Sequence, residues 1–213
     1  MQTIHEVGST KVKKIKKNEF KIETADDINY SFIYKYFFND DDNVKLTDKS
    51  IVFNASDVMS LTDFLKEHKN EMEYMLVIDL LKNLAMMKEI LESKGIMFIN
   101  LDLDDIIVID SKRYLYVNYD NLYKLEGEDI IVEKIIDKFS KFMPKKEIDT
   151  KTIPLKINIK SIYYNIADLL IYCLFNKQYK DKETIVYLYH TKLYWFLQRC
   201  LDEDISKRVF LFI

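Results

Sequence analysis

Asp102, Asp104, Asp105 and Asp110 crowd into "NLDLDDIIVID", residues 100–110, and Asp120 follows a short way on. Carboxylate oxygens are the hard ligands that magnesium and manganese prefer, so this run is the first candidate for chemistry. If the backbone is extended there, Asp102 and Asp104 alternate with Leu101 and Leu103 and share one face. The plainer reading is an acidic, solvated loop. A second candidate lies near the start, where Lys11, Lys13, Lys14, Lys16 and Lys17 precede the aromatic run Tyr30–Phe38. A basic stretch beside aromatics can grip a single strand of nucleic acid. Against zinc, Cys173 and Cys200 form no CxxC pair, and His5, His68 and His190 are far apart in sequence.

The whole chain narrows these readings. It has 213 residues, 32 basic and 35 acidic, for a net charge of −3. A dedicated nucleic-acid binder carries a strong basic excess, so nucleic acid is an unfavoured partner. Apolar residues make up 48%, enough for a folded core. No apolar run reaches the roughly 18–20 residues that span a bilayer, and "MQTIHEVGSTKVKK" lacks the apolar centre of a secretory signal. A soluble protein of the cytoplasm, with both cysteines as buried free thiols, is the expectation. With three glycines in the chain, there is little material for glycine-built phosphate loops.

The elements that must position these residues follow from periodicity. Residues 1–55 read as mostly strand: "TKVKKIKK", "NYSFIYKYFF" and "VKLTDKSIVF" are β-branched, aromatic or alternating, with Asn39–Asn43 as a hairpin-like loop. Past Ser56 the pattern turns helical. "SLTDFLKEH" opens on Ser60 as an N-cap with Asp63 three residues on. In "EMEYMLVIDLLKNLAMMKEILESKG", Leu76, Leu80, Leu84, Met87 and Leu91 line one face, and Gly95 ends the helix. "MFINLDLDDIIVIDSKRYLYVNYD" returns to strand, turning at Asp110–Arg113. Residues 121–156, polar and holding both prolines, read as a long connection with short helical pieces. "SIYYNIADLLIYCLF", Ser161–Phe175, is apolar nearly all round and belongs inside a core, interrupted by Asn165 and Asp168. Ile185–Leu201 reads as one more amphipathic helical region, in which Trp195, Tyr187, Leu188 and Phe196 form core and rim in preference to a ligand cage. The class is α+β, a β-rich part at 1–55 and a larger, mainly helical part at 56–213.

That order, and four stretches within it, resemble the protein-kinase superfamily. "SIVFNASDVMSLTDFLKEH" is similar to the last strand, hinge and following helix of a kinase. The long helix ending "ESKGI" resembles the one ending "HEKGI", and the residues after it align without a gap on "HRDLKPEN…DFG". "SIYYNIADLLIYCLF" resembles the buried helix "DVYSLGVILYELL", and "FLQRCLDEDISKR" resembles "LIKRCLDPDPEKRP". The resemblance implies one bilobal domain of protein-kinase-like fold, with a reduced β-rich N-lobe (1–55) and a helical C-lobe. The residue usage also looks like divergent kinase-like proteins of large DNA viruses, which would place it in host cytoplasm or virion.

The same resemblance implies that the catalytic groups are replaced. Phosphoryl transfer needs cradled phosphates, held magnesium and a carboxylate beside the acceptor hydroxyl. Phe98 takes the place of the motif His, Ile99 the Arg, and Asn100 the catalytic Asp; an amide accepts no proton at neutral pH. Asp102 replaces the loop Lys, and Asp105 the metal-binding Asn. Asn118-Tyr119-Asp120 stands where DFG would be, leaving Asp105 and Asp120 as the remaining metal candidates. Lys13 is the candidate nucleotide-binding lysine, with Glu19 or Glu23 as its partner, although before it there is too little chain for two strands and a loop. Leu155 stands where the Glu of "APE" would be, so Arg208 must find another acceptor. Asp168 is a candidate cap for the backbone of the 99–105 loop, a role the family gives to an earlier Asp, where this chain has Ile162. The expectation is a catalytically inactive kinase-like protein, a pseudokinase, with no cofactor and another protein as its partner. The alternatives are an atypical phosphotransferase using ATP with magnesium or manganese, and a nucleic-acid accessory protein using Lys11–Lys17.

Overall fold

The computed structural model describes residues 1–25, 31–38, 44–136, 138–144, 148 and 153–212. Five strands form the first sheet: β1 (Gln2–Val7), β2 (Thr10–Lys16), β3 (Glu19–Thr24), β4 (Lys45–Leu46) and β5 (Ser50–Asn54), in the order β1-β2-β3-β5-β4 with antiparallel neighbours. Alternation sorts its faces. Val12, Phe20, Ile22, Ile51 and Phe53 are buried on one side, while Lys11, Lys13, Lys21 and Glu23 occupy the other. "NEFKIETADD", too short for a helix, holds β3, and before β2, which carries Lys13, there is one strand, β1, with the turn between them at Gly8 (φ +54°).

"SFIYKYF" is the larger correction. It forms α1 (Ser31–Phe37), where the strand-like composition predicted β structure. Ile33, Tyr34 and Phe37 recur at helical spacing and bury one side of it, and Phe38 beyond it lies 4.9 Å from the Phe53 ring. Burial against a finished sheet outweighs β propensity, which is a fraction of a kcal/mol per residue. Tyr30 and the Asn39–Asn43 loop lie outside the described residues.

Helices α2 (Leu61–Glu67), α3 (Tyr74–Glu92) and α4 (Lys160–Phe175) fall where periodicity places them. Ser60 accepts from the Asp63 amide at 3.0 Å and so caps α2. Leu80, Leu84, Met87 and Leu91 are buried along α3, and Gly95 takes φ +67° just past its end. Buried α4 carries Asn165 and Asp168 into the core. The region 185–201 divides in two. A 3-10 segment covers Lys182–Leu188, His190 turns at φ +71°, and α5 (Lys192–Cys200) restarts on Thr191, whose hydroxyl accepts from the Tyr194 amide at 3.1 Å. Leu188 and Phe196 are buried, whereas Tyr187 and Trp195 are exposed.

Seven further strands make two smaller sheets, so the part after residue 56 is more mixed than expected. One sheet orders β6 (Val58–Ser60), β8 (Ile106–Ile109) and β9 (Arg113–Tyr116); β8 and β9 turn at Asp110 and Ser111, both at positive φ. The other orders β12 (Leu155–Asn158), β11 (Asp129–Val132), β10 (Leu122–Glu126) and β7 (Ile96–Phe98). It overturns the reading of 121–156 as a loosely structured connection. "LYKLE-GE-DIIV" is a hairpin with Gly127-Glu128 between paired Glu126 and Asp129, a two-residue turn flanked by alternating residues. One continuous apolar core joins all three sheets and the helices, and both cysteines are free and buried within it. Among the described residues, no helix is long and apolar enough to cross a membrane.

Candidate functional site

Two loops meet at the centre of the molecule. The first leaves β7 and runs through residues 99–105 into β8; the second leaves β9 and runs through residues 117–121 into β10. Backbone bonds lace them together: the Ile99 amide donates to the Asn121 carbonyl at 3.1 Å, and the Val117 amide to the Asp105 carbonyl at 2.8 Å. Asn100, Asp102, Asp105, Asn118 and Asp120 all lie on these two loops.

Asn100 adopts φ +60°, a conformation that asparagine tolerates better than most residues. Its Nδ2 donates to the Lys138 carbonyl at 3.0 Å and its Oδ1 accepts from the Ser140 amide. Both ends of the amide are thus spent on fastening residues 138–140. A carboxylate at this position could accept but not donate.

Asp102 and Asp104 do not share an extended face, because Leu103–Asp105 forms a 3-10 turn. Asp102 and Asp105 bracket this turn: Asp102 Oδ1 accepts from the adjacent Leu103 amide at 2.8 Å, and Asp105 Oδ2 reaches back to accept from the Asp102 amide at 2.7 Å. Asp105 is buried, and Asn118 Nδ2 donates to its Oδ1 at 2.6 Å. Burial pushes its carboxyl up to about 7; the bonds from Asn118 and Asp102 pull the other way, and the charges of Asp102 and Asp104 add to the rise. Asp110 is remote in role. It accepts from the Ser56 amide and hydroxyl, both at 2.6 Å, and these bonds outweigh its burial to hold it below the usual carboxylate range. Among the described residues, no group of three or more His, Cys, Asp or Glu side chains is placed to hold a metal ion.

The β1–β2 turn closes over this centre. Asp120 Oδ2 accepts from the Ser9 amide at 2.8 Å and Oδ1 from the Ser9 hydroxyl at 2.5 Å. Gly8 lies so close that a Cβ there would stand 2.4 Å from Asp120 Oδ2 and 3.1 Å from Asn118 Oδ1. His5 Nε2 bonds the Asp104 carbonyl at 2.7 Å, a second tie between β1 and the first loop. Asn118 Oδ1 is a buried acceptor without a partner among the described residues. Both oxygens of Asp105 thus accept from Asn118 and the Asp102 amide, and both of Asp120 accept from Ser9.

Lys13 is not part of this centre. It pairs with Glu23 on neighbouring β3, on the sheet face turned away from the core, and Lys21 pairs with the same carboxylate at 2.7 Å. The inward positions of β3 are Phe20, Ile22 and Thr24, and α1 carries no acidic residue. On α1, Tyr34 and Phe37 are buried and Tyr36 is exposed, while Lys11 and Lys13 lie on the outer face of the first sheet.

Four residues matter that composition did not single out in these roles. Phe98, Tyr116, Tyr119 and Tyr34 form a buried file of rings from β7 to α1, at successive centroid distances of 5.0, 6.5 and 6.2 Å. Behind it, Asn165 on α4 accepts from the Leu101 amide at 2.8 Å and donates to the Leu101 carbonyl at 3.0 Å. Asn165, and not Asp168, therefore caps the 99–105 loop; a fully buried amide in an apolar helix was the available signal. Asp168 instead accepts from the Tyr179 amide at 2.5 Å, and burial raises its carboxyl to about 6. Arg208 is buried, donates through Nε to the Asp202 carbonyl at 2.7 Å, and lies over the Tyr164 ring.

A scan against protein-family models finds no match to this chain, and comparison with curated proteins finds none.

Proposed function

We propose that the chain is a catalytically inactive kinase-like protein whose folded surface serves to hold another protein. One observation supports the reading: the turn Gly8-Ser9 is seated on Asp120, the residue that the kinase resemblance leaves as a metal candidate. Three further features support it. Asn100 is committed through both amide ends to residues 138–140. The strand before α1 presents no inward lysine, and α1 no glutamate to receive one. The kinase-like part of the reading draws on the order of elements and on Asn165, which bonds the 99–105 loop from a buried helix as the family's Asp does.

A second reading, an atypical metal- and nucleotide-dependent phosphotransferase, draws on Asn118 Oδ1. This acceptor is buried without a partner among the described residues and faces the same glycine as Asp120.

Thermal unfolding with ATP, alone and with magnesium or manganese, separates the two. A ligand that binds only the folded state at about 100 times its dissociation constant adds about 2.7 kcal/mol. The first reading expects no shift at millimolar nucleotide. A metal-dependent shift lost in Asp120→Ala, together with phosphate transfer to any acceptor, would sink it in favour of the second.

A further inference from the structure

Ser9 stands between two environments of opposite charge. On one side its hydroxyl and amide hold Asp120. On the other it lines a recess of about 260 Å³ at the edge of the first sheet, where β2 begins and β3 ends, together with Lys11, Lys21, Lys49, Thr24 and Ser50. The floor is built by backbone bonds, the Thr24 amide to the Lys49 carbonyl at 3.0 Å and the Ala25 amide to the Ser9 carbonyl at 3.1 Å. The Ser9 and Thr24 hydroxyls lie 3.3 Å apart on its wall.

Lys13 and Lys21 stand directly opposite each other across β2 and β3, an unfavourable like-charge pair relieved by one carboxylate, Glu23, which both share. Glu23 also lines the recess and opposes an incoming anion, but its charge is already divided between those two ammonium groups. Lys11 pairs with Glu6 at 3.1 Å with both side chains about half exposed, a contact that costs little to exchange. The recess thus gathers three ammonium groups and three hydroxyls on a chain whose overall charge is negative.

We propose that this recess binds a phosphomonoester, and that Ser9 supplies that group in cis when it is phosphorylated. A dianion with three strong acceptor oxygens suits clustered ammonium and hydroxyl donors. In the modification a separate kinase transfers the γ-phosphoryl of a nucleoside triphosphate. The bond from Ser9 Oγ to phosphorus forms, the bond from phosphorus to the bridging oxygen breaks to leave a nucleoside diphosphate, and the hydroxyl proton passes to that kinase's base. Esterified Oγ can no longer donate to Asp120, and the new charge repels that carboxylate. Leaving Asp120 and entering the recess are then one movement, which lifts the hairpin turn off the 117–121 loop. The site lies outside the Asn100–Asp120 centre and does not depend on whether nucleotide binds there.

The test uses the full chain in four forms: unmodified, Lys49→Ala, Lys11→Ala, and with phosphoserine installed at position 9. Amide resonances are followed during titration with inorganic phosphate, and exchange of the Ser9 amide is measured in each form. Saturable shifts confined to residues 9–11, 21–25 and 49–50, weakened about tenfold by Lys49→Ala, support binding in trans. In the phosphoserine form, the same shifts without added phosphate, a Ser9 amide exchanging at least tenfold faster, and no further response to phosphate support binding in cis. Either result alone upholds the recess and names its source. Saturable binding untouched by both lysine variants, or no shift in the unmodified chain together with an unchanged Ser9 amide in the phosphoserine form, overturns the proposal. Both lysines are on the surface, so their loss leaves the fold intact.

Discussion

Ser9 and Asp120, separated by more than half the chain, are joined by two hydrogen bonds, from amide and hydroxyl, at 2.8 and 2.5 Å. The pair fixes the first hairpin onto the central loops and depends on the absence of a side chain at Gly8.

Gly8→Ala tests that dependence. A left-handed residue with a Cβ costs about 1–2 kcal/mol, and here the Cβ also meets the Asp120 carboxylate. Chemical denaturation should show at least that loss. Ser9→Ala, which removes the hydroxyl's bonds to Asp120 and Thr24 and adds no clash, should cost about 1–3 kcal/mol.

Asn100→Asp restores the residue type that phosphoryl transfer requires, and it should restore no transfer. The carboxylate cannot donate to the Lys138 carbonyl and faces it with like partial charge. A loss of roughly 1–3 kcal/mol and faster proteolysis near residues 138–140 are expected. Measurable ATP turnover in this variant would contradict the inactive reading.

Asn165→Ala should be among the most damaging single changes. It strands both the amide and the carbonyl of Leu101 in the core, for a cost of roughly 2–4 kcal/mol. Asp168→Ala removes the bonds from the Tyr179 amide and the Gln178 side chain, but also a carboxylate whose burial is itself unfavourable, so a smaller loss is expected. Equal losses in paired unfolding curves would contradict this assignment.

Asp105 makes stability depend on pH in a definite direction. Its folded value of about 7 lies above the ordinary carboxylate value, so between about pH 4 and pH 7 the folded state holds a proton that the unfolded state has lost. Stability from this group therefore falls as pH rises through that window, by up to about 1.4 kcal/mol per pH unit, and is level above it. Asp168, raised to about 6, adds the same sign over a narrower window. Denaturation midpoints of Asp105→Asn should lose less over pH 4–7 than those of the unaltered chain.

How much of this was legible in the sequence varied by element. The helices α2, α3 and α4 were readable because the Ser60 cap of α2 and the apolar spacing of α3 and α4 are local properties of the chain. The Asp110–Ser111 turn was readable for the same reason. Helix α1 was not: its residues favour strand by composition, and only the sheet beneath it rewards the helical face of Ile33, Tyr34 and Phe37. The hairpin at Gly127-Glu128 was present in the pattern but masked by the polar residues around it.

The sequence by itself determined which residues would crowd the two central loops, since Asn100, Asp102, Asp105, Asn118 and Asp120 lie within one strand-turn-strand unit. Only the tertiary structure decided what each of them does. Whether a carboxylate binds metal, caps a turn or receives a serine depends on which donors reach it, and those come from Ser9, Asn118 and the Asp102 backbone. The same holds for Lys13, turned from the core by the pleat of β2, and for Asn165 and Asp168, which sit one turn apart on α4 and so meet different segments. Hydrogen bonds between residues distant in sequence are short-ranged and directional, so composition and spacing propose the partners and the packed fold selects among them.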